Sequence, residues 1–244
     1  MIAPIDLAPT ATAPDRPLAE RALSAALVVA QRLAPIGAAE QAAAVAMSQS
    51  HFPSLSAWRP MSLAHGNAGL VLLFGYLDRI APDAGWAHVA HAHLAAAARH
   101  AEAEGEPPIG LFDGLAGLGF AATWASRGGQ RYGRLLQTID DALAPRATAS
   151  AAALDAPDLP VGMADFDIIS GLAGVGAYLL GRTASPPAAA ALRDVLGALT
   201  RLLRDDDGGC PRWSTAPELL YDDTMRARYP AGYLNCGLAH RLPG

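Results

Sequence analysis

Four short glycine-rich signatures recur along the 244-residue chain, each at or near the start of an apolar stretch. They span residues 63–70, 112–119, 169–176 and 235–240. All four copies share a glycine at the same position, and in chain order these glycines are Gly66, Gly114, Gly171 and Gly237. Successive shared glycines are 48, 57 and 66 residues apart. A step of this size holds two helices and their loops, so the spacing predicts a helical repeat protein.

Helix start and stop signals predict an alternation of short and long helices between the signatures. A short helix rich in small residues follows each of the first three signatures, at 68–80, 115–126 and 172–181. A longer amphipathic helix comes after each of these, at 83–104, 130–143 and 187–204. Two further helices are predicted before the first signature, at 17–34 and 38–48.

The two kinds of helix predict two layers. Short helices rich in Gly and Ala can approach one another closely and belong inside, whereas the longer helices carry charge on one face and belong outside. No segment shows clear β alternation. We therefore expect an all-α fold, a two-layer α/α toroid or solenoid over residues 17–244, after a flexible leader at 1–16 that holds three prolines.

Composition and charge exclude several functional classes. Apolar residues make up 52% of the chain and charged residues 17%, which excludes a disordered chain. A net charge of −5 without a basic stripe argues against nucleic-acid binding. The order Gly-x-x-Gly-x-Gly in the second and third signatures also does not match a nucleotide-binding motif. No strand precedes it, and all 18 basic residues are Arg, so no P-loop Lys exists.

Targeting signals are not evident in the sequence. The N-terminal stretch carries Asp6 and Asp15 and no basic region, unlike a signal peptide. The apolar run at 168–181 is too short to span a bilayer. The two cysteines, Cys210 and Cys236, are consistent with a reducing compartment. We therefore expect a cytoplasmic protein.

The signatures resemble those of the lanthionine synthetase C-like family, the cyclases of lantibiotic biosynthesis. The resemblance runs from about residue 60 to residue 244, and its most specific segments are 62–69, 166–180 and 229–240. It implies a toroid of seven helical hairpins with a zinc site at one end of the inner ring. It also implies a reaction in which a peptide cysteine thiol adds to dehydroalanine or dehydrobutyrine and closes a thioether ring.

The same resemblance implies roles for two residues. His240 matches the family histidine proposed for proton transfer, a task that imidazole suits near neutral pH. Asp167 matches the active-site aspartate, which could orient either a histidine or the substrate. Zinc would hold the substrate sulfur as a thiolate, and an acid would protonate the resulting enolate. The implied partners are a ribosomal precursor peptide, a lantibiotic dehydratase and a transporter.

The chain also departs from the family pattern. The family's zinc ligands, two cysteines and a histidine, lie in repeats after the one that holds His240, whereas the sequence ends at Gly244. We therefore expect no zinc ligands here, and a cyclase truncated after four of seven repeats and inactive in this form. Arg241 stands where the family usually has glycine. Cys210 and Cys236 are interpreted as packed or loop residues and not as metal ligands.

Two other functions stay open at this point. A non-catalytic helical repeat could bind a peptide or a partner protein through its inner face. Another α/α-toroid enzyme, such as a glycosidase, would need paired carboxylates, and only Asp167 is well placed for that. Four histidines on one predicted outer helix are expected to face solvent, because they do not converge on one face as metal ligands would. They are His88, His91, His93 and His100.

Overall fold

A computed structural model describes residues 16–51, 57–156, 159–204, 211–220 and 222–235, with Gly237 and Ala239. Over these residues the protein is built from helices and loops, with one isolated antiparallel bridge between Thr215 and Tyr233. The helices are α1 (Arg16–Leu33), α2 (Ala38–Gln49), α3 (Asn67–Ile80), α4 (Trp86–Glu104), α5 (Leu115–Trp124), α6 (Gly133–Asp155), α7 (Met163–Phe166), α8 (Leu172–Leu180), α9 (Pro186–Leu202) and α10 (Asp223–Arg228). Two 3-10 turns lie at Pro82–Ala84 and Pro217–Leu219.

The helices form the two layers of an α/α toroid, which confirms the predicted fold class. Inner helices α3, α5 and α8 pack on one another in chain order, and outer helices α4, α6 and α9 each pack on the inner helix that precedes them. Glycines permit the close inner packing. A Cβ on Gly119 of α5 would lie 2.4 Å from Cζ of Tyr178 on α8. The aromatic ring therefore crosses the α5 backbone where no other residue would leave room.

Helix α6 is much longer than the predicted 130–143 segment. Pro145 lies inside it, and an internal proline removes a backbone hydrogen bond and ordinarily ends a helix. The helix continues because its apolar face continues: Ala144, Ala147 and Leu154 are all buried, and α6 packs along α9. Burial along three further turns offsets the cost of the proline, which is about 3 kcal/mol.

The first two helices are mostly exposed and are bent by 93° relative to each other. Ala30 of α1 is buried in a small apolar cluster with Phe74, Leu77 and Trp86, and this cluster joins α1 to the toroid. Of the predicted leader, only Arg16 lies within the described residues, and it begins α1. Within the described ranges, no single helix is both long and apolar enough to cross a membrane. The pair α1 and α2 reaches that length and apolarity only when the two helices are counted together across the bend between them.

Candidate functional site

The first three signature loops share one backbone geometry. In each loop the second glycine donates its N–H to the carbonyl seven residues earlier, at 3.3–3.4 Å. The donor and acceptor pairs are Gly69 and Ser62, Gly117 and Gly110, and Gly174 and Asp167. The first N–H groups of a helix have no partner within the helix. The loop carbonyls supply that partner, so each loop caps the inner helix that follows it.

The second glycine of each loop is required by contact with the backbone. A Cβ at Gly69, Gly117 or Gly174 would lie 2.2, 2.0 or 2.2 Å from a loop carbonyl oxygen. The oxygens belong to Leu63, Leu111 and Ile168 respectively. A real Cβ cannot approach a carbonyl so closely, so the recurring glycines are explained by loop–helix packing.

The loops are hydrogen-bonded to one another in chain order. Leu63 N–H donates to the Phe112 carbonyl at 2.7 Å, and Phe112 N–H donates to the Ile169 carbonyl at 3.0 Å. Ile168 N–H then donates to the Ala239 carbonyl at 3.3 Å. These bonds place the signature loops side by side at one end of the toroid. We call this end, where the inner helices begin, the signature end.

Asp167 lies in the third loop and is 2% exposed. Its Oδ1 accepts hydrogen bonds from Ser170 N–H at 2.7 Å and Gly171 N–H at 2.9 Å. Ser62 occupies the equivalent position in the first loop, and its Oγ accepts from two backbone N–H groups at 3.0 Å each. The second loop has Gly110 there, without any side chain. A carboxylate at this position is therefore not needed to fold such a loop.

His240 lies outside the described residues, as do Cys210, Cys236 and Arg241. Its neighbour Ala239 is the residue that bonds to Ile168, and Ile168 directly follows Asp167. This bond places Ala239 at the signature end, next to the loop of Asp167. The catalytic roles of the two residues stay predictions.

Polar side chains occupy the position before the first motif glycine in each of the first three loops. His65 and Ser170 are exposed. Asp113 Oδ2 accepts a hydrogen bond from Arg59 Nη1 at 2.9 Å, which ties the second loop to the segment before the first. With Arg59 and Asp113 side chains 63% and 32% exposed, this pair adds little stability. These groups give the signature end a polar surface beside Asp167.

The prediction that the four α4 histidines face solvent is wrong for His93. This side chain is 1% exposed, stacks on Phe74 and has Nδ1 2.8 Å from Asn67 Oδ1. Burial lowers the pKa of His93. The signal was present in the sequence, because His93 falls on the helical stripe of Trp86, Ala90 and Ala97. Of the others, His88 and His91 are exposed, and His100 pairs with Glu104 at 3.2 Å.

Two ion pairs near the opposite ends of the inner helices were not predicted. Asp140 of α6 is fully buried and accepts hydrogen bonds from Tyr178 Oη and Arg182 Nη2, both at 2.7 Å. Asp78 accepts two hydrogen bonds from Arg127 at 2.9 and 2.7 Å, and the pKa of Asp78 is lowered by that guanidinium. Both pairs lie far along the inner helices from the signature loops. We interpret them as structural.

The described residues do not supply a zinc site. Among them, no three His, Cys, Asp or Glu side chains gather closely enough to hold a metal ion.

Comparison with known proteins agrees with the fold and the repeats. The profile of a family described as lanthionine synthetase C-like protein matches residues 57–244. The solved structure of a nisin cyclase is similar, with a TM-score of 0.65 and 18% sequence identity. The similarity covers 82% of this chain and 49% of that one, so the chain spans about half the length of the nisin cyclase. No curated protein matches the sequence.

Proposed function

Since the chain belongs to the lanthionine synthetase C-like family, we propose that it closes thioether rings in a ribosomal precursor peptide, at a site on the signature end that holds Asp167 and His240. The observation that carries this proposal is the Ile168–Ala239 backbone bond, which pairs the loop of Asp167 with the segment that leads to His240. Expected partners of such an enzyme are the precursor peptide, a dehydratase and a transporter, and its expected compartment is the cytoplasm.

The reaction is an addition that balances without an oxidant or reductant. The cysteine thiol loses its proton, and the sulfur bonds to the β-carbon of dehydroalanine or dehydrobutyrine. The electron pair of the carbon–carbon double bond moves toward the carbonyl as an enolate, and a proton then bonds to the α-carbon. We assign that proton to His240, because an imidazole can carry and release a proton near neutral pH.

We assign Asp167 a positioning role. Loop folding does not explain its charge, because Ser62 and Gly110 serve at the equivalent positions. Its orientation is defined by the two backbone N–H groups that bind Oδ1. A carboxylate held in this way can orient a histidine or the peptide and can stabilise an imidazolium. In the family reaction zinc would hold the substrate sulfur as a thiolate, and we assign no described residue of this chain to bind it.

The test uses the full chain and a peptide that carries one cysteine and one dehydroalanine. Unreacted cysteine is alkylated and the ring product is counted by mass spectrometry. His240→Ala and Asp167→Asn should each lower the rate by about 10² or more. Asp167→Ser should do the same with an unchanged melting temperature, because Ser62 shows that a hydroxyl can cap this loop.

The pH profile separates positioning from loop structure. If Asp167 stabilises the imidazolium, Asp167→Asn should move the alkaline limb of the rate profile to lower pH. Wild-type rates in both Asp167→Asn and His240→Ala would contradict the residue assignments. Ring formation no faster than in peptide alone would contradict the enzymatic proposal. Retained peptide binding in that case would favour the alternative function, a non-catalytic peptide-binding helical repeat.

A further inference from the structure

A cavity of about 310 Å³ lies at the signature end, next to the loop of Asp167. The last turns of α6, the segment 159–161, α7 and the second and third signature loops line it. Its lining combines apolar side chains with hydroxyl groups and one carboxylate. These side chains belong to Ile109, Leu154 and Leu172, to Ser150 and Ser170, and to Asp165.

Asp165 is the one charged residue among the described residues that line the cavity. It is exposed, and its Oδ2 accepts a hydrogen bond from Gly162 N–H at 2.8 Å. That bond orients the carboxylate. The other oxygen, Oδ1, has no hydrogen-bond partner among the described residues. Both oxygens of a carboxylate accept hydrogen bonds, so Oδ1 is available to a ligand in the cavity.

The nearby guanidinium of Arg212 is directed to other groups. Its Nη2 donates to the carbonyls of Leu154 and Ala156 at the end of α6. Within the part of the chain that the structure describes, Arg212 does not line the cavity and Asp165 forms no ion pair. The cavity therefore offers a negative charge that no described cation balances by direct contact, and such a charge attracts a cationic ligand.

The cavity and Asp167 share the same piece of backbone. Ser170 and Gly171 line the cavity, and their N–H groups are the two that bind Asp167 Oδ1. A side chain in the cavity would thus contact the loop that positions Asp167. Because the cavity adjoins the proposed site, one peptide can fill the cavity and present its reacting groups at the same time.

We propose that this cavity binds a basic side chain of the peptide substrate, lysine or arginine, with its cationic end at Asp165. The inference rests on the proposed function. Lysine and arginine combine an apolar stem with a charged end, which matches apolar walls beside a carboxylate. The hydroxyls of Ser150 and Ser170 can accept further N–H hydrogen bonds. A purely apolar side chain would leave Asp165 without a partner, and an acidic one would be repelled.

The test uses the full chain and a peptide that has one cysteine, one dehydroalanine and otherwise uncharged residues. Lysine replaces each remaining residue in turn, and a matched set carries norleucine, which has the same stem without the charge. At one or more positions the KM should be about fivefold lower for lysine, the factor expected for an ion pair open to solvent on one side. In about 1 M salt this difference should disappear, because the screening length falls to about 3 Å.

Asp165→Asn should bring the ratio of the two KM values to about one. Asparagine keeps an oxygen for Gly162 N–H and removes only the charge. Asp165→Lys should reverse the preference, so that glutamate at the same peptide position binds better than lysine. The matched control is Asp83→Asn, which removes an equal charge at an exposed turn after the far end of α3. It should keep the wild-type preference.

A binding measurement with unreactive peptides, in which serine replaces dehydroalanine, tests the cavity without chemistry. A lysine preference in binding that Asp165→Asn removes would support the cavity proposal even if no rings form, and only the proposed function would then fail. The cavity proposal would be overturned by equal values for every pair of lysine and norleucine peptides, in KM or, where no rings form, in binding. A lysine preference that survives Asp165→Asn would also overturn it.

Discussion

Gly117→Ala tests the packing on which the signature end depends. The new Cβ would lie 2.0 Å from the Leu111 carbonyl oxygen, whereas ordinary contact begins near 3.4 Å, so the Leu111 peptide must move by about 1.4 Å. The next residue, Phe112, makes the bonds to Leu63 and Ile169 through its carbonyl and N–H. Movement of Leu111 therefore strains both bonds between neighbouring loops.

The expected loss in the free energy of unfolding is about 3 kcal/mol. Overpacking contributes about 1–3 kcal/mol and the two weakened hydrogen bonds about 1 kcal/mol each, offset by up to about 1 kcal/mol from the better helix propensity of Ala. For a chain of this length the melting temperature should fall by about 10 °C. Thermal unfolding followed by circular dichroism measures it.

Gly133→Ala is the matched control for this prediction. Gly133 begins α6, is exposed, does not have a positive φ, and has no heavy atom within 4 Å of an added Cβ. Its replacement should leave the melting temperature unchanged or slightly higher. A Gly117→Ala protein that melts within about 2 °C of wild type would refute the argument that the loop carbonyl requires glycine.

Three further variants test polar contacts outside the loop of Asp167. Asp140→Asn should lower the free energy of unfolding by about 3–5 kcal/mol in denaturant titrations, because the Arg182 charge loses its buried partner. Arg127→Gln should lower the melting temperature at pH 6 but much less at pH 3. Its partner Asp78 has a depressed folded-state pKa, so the pair stabilises the fold above the ordinary value of 3.8 and is lost as the pH falls through the folded-state pKa. His93→Gln should reduce the fall in the free energy of unfolding that occurs as the pH drops below 6.5. Burial lowers the pKa of His93 in the folded protein, so below pH 6.5 its imidazole is protonated mainly in the unfolded chain, which favours unfolding.

The helical pattern was predictable because it depends on neighbours in the chain. The predicted helices at 38–48 and 68–80 agree with α2 and α3 to within one residue at each end. Helix propensity, prolines and glycines act over a few residues, so their signals are readable without tertiary contacts. The two kinds of helix likewise predicted the two layers, since short helices rich in Gly and Ala can pack closely inside and longer helices with a charged face belong outside.

The candidate site was predictable in part. Asp167 and His240 were selected by resemblance, and their joint role stays a prediction; the described contact between the two regions is the backbone bond from Ile168 to Ala239. No sequence pattern indicated that Asp167 Oδ1 would bind two N–H groups, or that Ser62 would do the same in the first loop. The cavity beside Asp167 was not predictable either, because α6, α7 and two loops enclose it jointly.

By itself, the sequence determined the helix order, the layered repeat and the positions where glycine must stand. Only the tertiary structure decided how far α6 extends, that His93 is buried, and that Asp140 pairs with Tyr178 and Arg182. Those partners are 38 and 42 residues from Asp140 along the chain. Local propensity does not extend over such separations. Contacts of this kind exist only once packing has brought the helices together, and burial then makes each polar group require a specific partner.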